Sequence, residues 1–118
     1  MRKKIAILGS TGSIGRNLLE IVNKDKNKFE VTLLTANKNH TDLLKQAKRF
    51  KVKNIIVTNN ESFEFLKKKK KKEINIYNSY SCFNKIFKKK IDYVMSSISG
   101  IDGLYPTIKI IKHTNKIA

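Results

Sequence analysis

The residues of this chain best suited to chemistry form a glycine-rich segment at positions 9–15, with the sequence GSTGSIG. An apolar run precedes it and a stretch with helical spacing of apolar residues follows, so it is expected to join a strand to a helix. In that position Gly9 permits a tight turn, Gly12 lets backbone approach a pyrophosphate, and Gly15 lets the helix pack closely. The segment predicts a dinucleotide phosphate site. A glycine-rich turn without a ligand is the alternative.

Four residues of this segment are candidate cofactor contacts. Thr11, Gly12, Ser13 and Ile14 would present N–H groups and hydroxyls to phosphates at the positive end of a helix. The glycine spacing is G-x-x-G-x-x-G rather than the common G-x-G-x-x-G. The evidence for a dinucleotide site therefore comes mainly from the position of the segment between a strand and a helix.

The end of the second predicted strand indicates which cofactor is bound. NAD-binding domains usually place a carboxylate there to accept from the ribose 2′-hydroxyl. This chain has Asn37, Lys38 and Asn39 instead. A lysine can pair with a 2′-phosphate and the two amides can hydrogen-bond it, so these three residues are candidate cofactor contacts and favour NADP over NAD.

No catalytic or metal-binding constellation accompanies these segments. His40 and His113 lack partners at ligand spacing, so no metal site is predicted. Cys82 has no activating motif around it and is interpreted as a buried structural thiol. Ser96, Ser97 and Ile98 end a later strand and are expected to line the same crevice.

The apolar pattern supplies the elements that position these residues. Strands are predicted at residues 4–8, 29–36, 54–58 and 91–97, with a short extra strand at 74–77 and another beginning at 116–118. Helices are predicted from Ser13, from a Thr41 N-cap, from an Asn60 N-cap, over residues 81–89, and after the loop at 99–103. Apolar faces are assigned to Ile14, Leu18, Ile21 and Val22 in the first helix, Leu43, Leu44, Ala47 and Phe50 in the second, and Leu104, Ile108 and Ile111 in the last.

Strands that alternate with crossover helices predict a doubly wound parallel sheet of the α/β, Rossmann-like class. No linker or repeat interrupts the series, so residues 1–118 are expected to form one NADP-binding domain. Its last strand is expected to be incomplete at the C-terminus.

Composition excludes several other classes. No run approaches 18 uncharged apolar residues, and no signal peptide precedes the first strand, so no membrane association is expected. The single cysteine fits a reducing, cytoplasmic location. The net charge of +17 is typical of nucleic-acid binders, yet only three of the 26 basic residues are arginine. The abundance of Lys, Asn and Ile favours codon bias as its source, so a nucleic-acid partner is not expected.

Six consecutive lysines at positions 67–72 keep a second hypothesis open. They are interpreted as the solvated end of a helix, where positive charge suits the carbonyl terminus. The alternative is a stand-alone basic nucleotide- or RNA-binding module without catalysis, whose binding would fall steeply with salt.

Three segments carry a resemblance to a known family. IAILGSTGSIG at 5–15, ANKN at 36–39 and SGIDGLYPT at 99–107 occur in order along the chain. They resemble 1-deoxy-D-xylulose 5-phosphate reductoisomerases. The resemblance implies an NADPH-dependent enzyme that converts 1-deoxy-D-xylulose 5-phosphate to 2-C-methyl-D-erythritol 4-phosphate in the non-mevalonate isoprenoid pathway. It also implies a divalent metal, Mg or Mn, and a homodimer at full length.

The resemblance places the remaining machinery outside this chain. In the family a catalytic domain with acidic metal ligands, and then a C-terminal domain, follow the segment seen here. The chain is therefore expected to be the NADPH-binding portion, truncated and inactive alone. Where Asn37 stands the family often has glycine, and an asparagine tolerates positive φ better than most residues.

Overall fold

Six short strands alternate with helices along the chain. The computed structural model describes residues 2–69, 73–98 and 100–118. Its strands are β1 (Lys3–Leu8), β2 (Phe29–Ala36), β3 (Asn54–Val57), β4 (Asn75–Tyr77), β5 (Ile91–Ser96) and β6 (Thr114–Ile117). Its α-helices are α1 (Ser13–Lys24), α2 (His40–Arg49), α3 (Asn60–Lys68), α4 (Phe83–Ile86) and α5 (Ile101–Ile110), with single 3₁₀ turns at Tyr80–Cys82 and Ile111–His113.

The strands form one parallel sheet in the order β4-β3-β2-β1-β5-β6. The chain winds outward from β1 to β4 on one side and then crosses back to place β5 on the other side. This confirms the predicted doubly wound α/β fold. It also puts the reversal of strand order between β1 and β5, which is where ligands bind in such sheets.

The apolar core lies on both faces of the sheet, and the central strand β1 contributes side chains to each face. Ile5 and Ile7 belong to one apolar cluster, whereas Ala6 and Leu8 belong to the other. Alternate side chains of a strand point to opposite faces, so a strand covered on both sides reads as a continuous apolar run. This burial fixes the end of β1, and with it the start of the glycine segment.

The buried face of α1 agrees only in part with the predicted one. Val22 is buried and Leu18 packs against the core, as predicted, whereas Ile14 and Ile21 are exposed. Gly15 and Leu19 complete the inward face. The close approach of Gly15 to the preceding loop sets the rotation of the helix. As a result, the residues three and four positions after Gly15, which are Leu18 and Leu19, face inward.

The predicted apolar face of α5 is wrong as well. Leu104, Ile108 and Ile111 are more than half exposed. The helix instead buries Gly103, Pro106 and Ile110. Apolar residues occupy most of its circumference, so their spacing could not identify the inward side. In α2, by contrast, Leu43 and Ala47 are buried, and Leu44 and Phe50 pack against the core as predicted.

Both predicted N-caps lie earlier in the chain than expected. Asn39, not Thr41, caps α2, and its side chain accepts from the N–H of Asp42 at 3.2 Å. Asn59, not Asn60, caps α3 and accepts from the N–H of Ser62 at 3.0 Å. In each case the asparagine oxygen reaches the third N–H of the helix, the geometry that N-caps use.

The remaining predicted elements form in shortened or shifted positions. The helix expected over residues 81–89 is a 3₁₀ turn followed by the single turn of α4, and β6 begins two residues earlier than expected. Lys67 and Lys68 lie in the last turn of α3, while residues 70–72 of the lysine run lie outside the described residues. Within the described ranges, no helix has both the length and the apolar character needed to cross a bilayer.

Candidate functional site

A cleft of about 520 Å³ lies at the carboxyl ends of the central strands. The loop after β1, the end of β2 and the loop after β5 enclose it, so it lies at the reversal of strand order. Most of its lining residues are small or polar, and few are apolar. They are Gly9, Thr11, Gly12, Thr35, Ala36, Asn37, Thr58, Tyr80, Ser97, Ile98 and Asp102.

Two glycines of the loop after β1 are required by the fold itself. Gly9 has φ +78°, and a Cβ there would lie 2.9 Å from a side-chain carbon of Ile98. A Cβ on Gly15 would lie 2.4 Å from the carbonyl oxygen of Gly9 and 2.6 Å from the Cα of Ser10. Gly15 therefore allows α1 to start directly against the loop.

Gly12 is different, because the protein leaves space around it. A Cβ there would meet only the carbonyl oxygen of Gly9, at 3.7 Å. Gly12 is exposed and lines the cleft. The absence of a side chain at Gly12 thus keeps open a backbone surface that a ligand can approach.

The start of α1 suits an anion. Gly12 is its N-cap and supplies no capping side chain, and no acidic residue occupies the first turn. The N–H groups of the first turn are left without intrahelical acceptors, and the helix dipole adds positive potential. Phosphate is the group such an arrangement accommodates.

Buried hydrogen bonds fix the loop behind the cleft. Ser10 is fully buried, and its N–H donates to the carbonyl oxygen of Thr35 at 2.9 Å. The N–H of Gly9 donates to the Thr35 hydroxyl at 2.9 Å. Gln46 of α2 exchanges two further hydrogen bonds with Ser10. The loop is thus preorganised from strand β2 and helix α2.

The segment after β2 is held by the loop after β3. The Thr58 hydroxyl donates to the side-chain oxygen of Asn37 at 2.9 Å, and the Ser62 hydroxyl donates to the carbonyl oxygen of Lys38 at 2.9 Å. Lys51 is the one described non-glycine residue with positive φ. Asn37 therefore does not adopt the left-handed conformation considered for it, and the replacement of glycine at this position requires no strained turn.

The loop after β5 closes the third side. The Ser97 hydroxyl lies 2.8 Å from the carbonyl oxygen of Leu8 and 2.7 Å from that of Gly9. Ser97 and Ile98 line the cleft, as predicted. Ser96 does not, since its hydroxyl accepts from Thr107 of α5 at 3.2 Å.

The structure brings the two predicted cofactor segments to opposite sides of one cleft. Thr11, Gly12 and Asn37 line it. The other four predicted contacts are exposed and directly adjacent in sequence: Ser13, Ile14, Lys38 and Asn39. Asn39 also caps α2, so its side chain already has a structural role.

Four cleft residues escaped the sequence analysis. Thr35, Thr58, Tyr80 and Asp102 line the site but were not predicted contacts, although Asp102 lies within the segment quoted at 99–107. Thr35 gave one usable signal, because it is a polar residue near the end of an otherwise apolar strand. Tyr80 gave none, since its place depends on how the chain after β4 folds back over the sheet.

Burial changes the acidity of two groups near the cleft. It raises the pKa of the Tyr80 phenol, and a hydrogen bond with the Thr35 side chain partly offsets the effect. Burial also raises the pKa of Cys82 to about 11, against smaller opposite effects from a backbone hydrogen bond and Lys85. Cys82 is buried and its thiol donates to the carbonyl oxygen of Ser79 at 3.0 Å. A protonated, buried thiol is a structural one, as predicted.

The part of the chain that the structure describes contains no group of three His, Cys, Asp or Glu side chains able to hold a metal ion. His40 packs its ring on Phe65 at 4.8 Å, and His113 packs between Phe83 and Phe87 at 6.1 and 5.7 Å. Both histidines therefore have packing roles in this structure.

A doubly wound parallel sheet with a glycine loop at its strand-order reversal defines a Rossmann-like nucleotide-binding domain. The family model for 1-deoxy-D-xylulose 5-phosphate reductoisomerase matches residues 5–118. The chain belongs to this family.

Similar proteins carry the same description. The reductoisomerase of Pelagibacter ubique is 52% identical over 119 residues, which cover 98% of this chain and 31% of the relative. That of Caldanaerobacter subterraneus is 38% identical over 116 residues, covering 98% of this chain and 30% of the relative. The chain thus spans less than a third of the length of these relatives.

Solved structures of the family share the fold. The Zymomonas mobilis reductoisomerase in complex with NADPH superposes with a TM-score of 0.86 at 25% identity, covering 99% of this chain and 31% of that one. A reductoisomerase in complex with NADPH, fosmidomycin and magnesium gives a TM-score of 0.85 at 26% identity, covering 98% and 29%.

Proposed function

We propose that this chain binds NADPH as the nucleotide-binding portion of a 1-deoxy-D-xylulose 5-phosphate reductoisomerase. The observation that carries the proposal is the glycine loop at the reversal of strand order. It faces a cleft whose opposite side is the segment after β2, where no carboxylate occupies positions 37–39. The NADPH complexes of structurally similar reductoisomerases support the same assignment.

The pyrophosphate is assigned to the glycine loop. Thr11, Gly12, Ser13 and Ile14 surround the uncapped start of α1, where N–H groups and the helix dipole favour phosphate oxygens. Gly12 is the position of closest approach, because no side chain and no neighbouring atom fills the space there.

The adenosine ribose and its 2′-phosphate are assigned to the segment after β2. Asn37, Lys38 and Asn39 are exposed beside the cleft. The Lys38 side chain has no partner among the described residues, so its charge is available to a phosphate. A ligand that carried only a 2′-hydroxyl would leave this charge unused.

In the complete enzyme the bound NADPH supplies a hydride for the reduction of the rearranged sugar phosphate. The conversion of 1-deoxy-D-xylulose 5-phosphate to 2-C-methyl-D-erythritol 4-phosphate also needs a substrate-phosphate clamp and divalent-metal ligands. We assign these to polypeptide outside residues 1–118, together with the contacts that form a homodimer. This chain is therefore expected to bind NADPH without turning over substrate.

Fluorescence titration of the chain with NADPH and NADH tests the cofactor assignment. We expect NADPH to bind more tightly, and Lys38→Ala to weaken NADPH binding about threefold to tenfold while changing NADH binding little. Lys28→Ala is the matched control, since Lys28 is an exposed lysine that precedes the opposite end of the same strand β2. It should change neither affinity.

The outcomes separate the parts of the proposal. Equal affinity for the two nucleotides would contradict the NADP assignment and leave the phosphate site in place. Absence of binding by a folded chain, judged by circular dichroism, would contradict the nucleotide-binding function as a whole.

A further inference from the structure

Arg16 lies between the two segments assigned to the cofactor. Its Nε donates to the carbonyl oxygen of Thr11 at 2.8 Å, and its Nη2 donates to the Asp42 carboxylate at 2.6 Å. The same Asp42 oxygen accepts from the Asn39 side chain at 2.9 Å. One guanidinium thus connects the glycine loop with the segment after β2.

We propose that Arg16 is a specificity-determining residue that binds the 2′-phosphate of NADPH, an inference that rests on the proposed function. In doubly wound domains the adenosine ribose lies between the glycine loop and the end of the second strand, and a nearby arginine accommodates the 2′-phosphate of NADP. Arg16 does not line the cleft itself but lies at its border, in contact with Thr11 directly and with Asn39 through Asp42.

Geometry separates Arg16 from the other two arginines. Arg2 donates to the carbonyl oxygen of Phe29, at the amino end of β2 and far along the strand from the cleft. Arg49 pairs with Glu20 at 3.0 Å, near the end of α2. Of the three, Arg16 contacts Thr11 of the glycine loop directly and is linked to Asn39 of the segment after β2 through Asp42.

Arg16 complements Lys38 rather than duplicating it. The Lys38 side chain is a flexible point charge, whereas the Arg16 guanidinium is a planar fork already oriented by Thr11 and Asp42. A planar fork can donate two parallel hydrogen bonds to one phosphate. An oriented fork also loses less side-chain entropy when the phosphate binds.

The ion pair with Asp42 does not prevent this role. The Arg16 and Asp42 side chains are 54% and 37% exposed, and an ion pair this accessible to water contributes little stability. A 2′-phosphate carries more charge than a carboxylate, so Arg16 can share or exchange Asp42 for it at small cost. Asp42 meanwhile keeps both of its hydrogen bonds with Asn39, since its carboxylate accepts from the Asn39 side-chain amide and its backbone N–H donates to the Asn39 side-chain oxygen.

A matched pair of ligands tests the proposal. Adenosine 2′,5′-bisphosphate and adenosine 5′-phosphate differ only in the 2′-phosphate, and each can be titrated into the chain by calorimetry. For Arg16→Gln we expect bisphosphate affinity to fall about tenfold and 5′-phosphate affinity to stay within about twofold. Arg16→Lys keeps the charge without the fork, so a smaller but equally selective loss is expected.

Arg49→Gln is the control, because Arg49 is an ion-paired arginine of the same α1–α2 surface whose guanidinium pairs with Glu20 instead of with Thr11 and Asp42. It should leave both affinities unchanged. An equal loss of both ligands in Arg16→Gln would overturn the proposal, since it would mean that Arg16 only shapes the loop. Unchanged affinities in this variant would overturn it as well.

The test also distinguishes the inference from the function on which it rests. A wild-type chain that binds the two ligands equally would contradict the NADP assignment, and the role of Arg16 would fail with it. A wild-type chain that prefers the bisphosphate, combined with an unselective Arg16→Gln variant, would overturn the role of Arg16 alone. If Arg16→Gln does not fold, the selectivity of Arg16→Lys decides.

Discussion

Gln46 and Ser10 exchange two hydrogen bonds across the boundary between helix α2 and the glycine loop. The Ser10 hydroxyl donates to the side-chain oxygen of Gln46 at 2.7 Å, and the Gln46 amide donates to the carbonyl oxygen of Ser10 at 2.9 Å. Ser10 is fully buried, so water cannot replace these partners. Gln46 therefore positions the glycine loop from behind, without lining the cleft.

Replacing Gln46 with Leu should loosen this loop. The buried Ser10 hydroxyl keeps only its long 3.5 Å hydrogen bond to the Thr35 carbonyl oxygen, and the Ser10 carbonyl oxygen loses the Gln46 donor, which should lower the free energy of unfolding by about 1–3 kcal/mol. NADPH affinity should fall because the loop is less preorganised. Urea unfolding and NADPH titration measure the two effects.

Gln46→Glu serves as the graded comparison. Its carboxylate can still accept from the Ser10 hydroxyl but cannot donate to the Ser10 carbonyl oxygen, so both losses should be intermediate. If Gln46→Leu unfolds at the same urea concentration as the wild type, the pair contributes nothing measurable and its positioning role is wrong.

Substituting alanine at Gly15 should destabilise the chain, although alanine normally favours a helix over glycine by about 1 kcal/mol. The reason is the added Cβ, which would lie 2.4 Å from the Gly9 carbonyl oxygen. We expect a loss of more than about 2 kcal/mol, a magnitude typical of overpacking, together with weaker NADPH binding.

Gly12→Ala provides the contrast. The nearest atom to its Cβ is 3.7 Å away, so stability should change by less than about 1 kcal/mol, the scale of an N-cap change. NADPH affinity should still fall, because the methyl group occupies the surface assigned to the pyrophosphate. A Gly12→Ala variant that binds NADPH normally would contradict that assignment.

Two isoleucines of α5 should respond oppositely to truncation. Ile110 is fully buried, whereas Ile108 is 59% exposed. Ile110→Ala should lower the free energy of unfolding by about 2–5 kcal/mol, and Ile108→Ala by less than about 0.5 kcal/mol. Thermal unfolding of the two variants side by side checks this. Comparable losses would contradict the exposed position of Ile108, and a larger loss for Ile108→Ala would restore the face that its apolar spacing first suggested.

The strands could be predicted from the sequence because burial on both faces leaves a continuous apolar run. The bounds of β2 agree with the prediction at both ends, and β1 begins one residue earlier than predicted. The faces of α1 and α5 could not be derived in the same way. Their rotation is set by the close approach of each helix to the loop before it, where Cβ atoms on Gly15 and Gly103 would meet the Gly9 and Ile98 carbonyl oxygens, and apolar spacing does not show this approach.

The candidate site also has parts that a local sequence pattern predicts and parts that it does not. The glycine loop and the segment after β2 are local patterns, and the structure places them at one cleft. Gln46 contacts the glycine loop from α2, and Tyr80 lines the cleft from the segment after β4. No residue spacing near either of them predicts these contacts. A polar side chain that supports a site from a neighbouring element can be identified only when the packing of the whole domain is known.

The packing of His113 predicts a pH dependence of stability. Its ring lies against Phe83 and Phe87, and burial, followed by the charge of Lys112, lowers the pKa of His113 from 6.5. The folded state thus binds this proton more weakly than the unfolded state. The contribution to stability is complete above pH 6.5 and is lost progressively as the pH falls through that value towards the lower folded pKa.

Chemical denaturation at a series of pH values between about 5 and 8 measures this effect, with His113→Phe as the variant that keeps an aromatic ring and removes the titration. His40→Phe is the control, because His40 also packs on an aromatic ring, that of Phe65. Wild type and His40→Phe should both lose stability on acidification, and His113→Phe should lose less. The same acid loss in His113→Phe as in the wild type would assign the pH dependence to other groups.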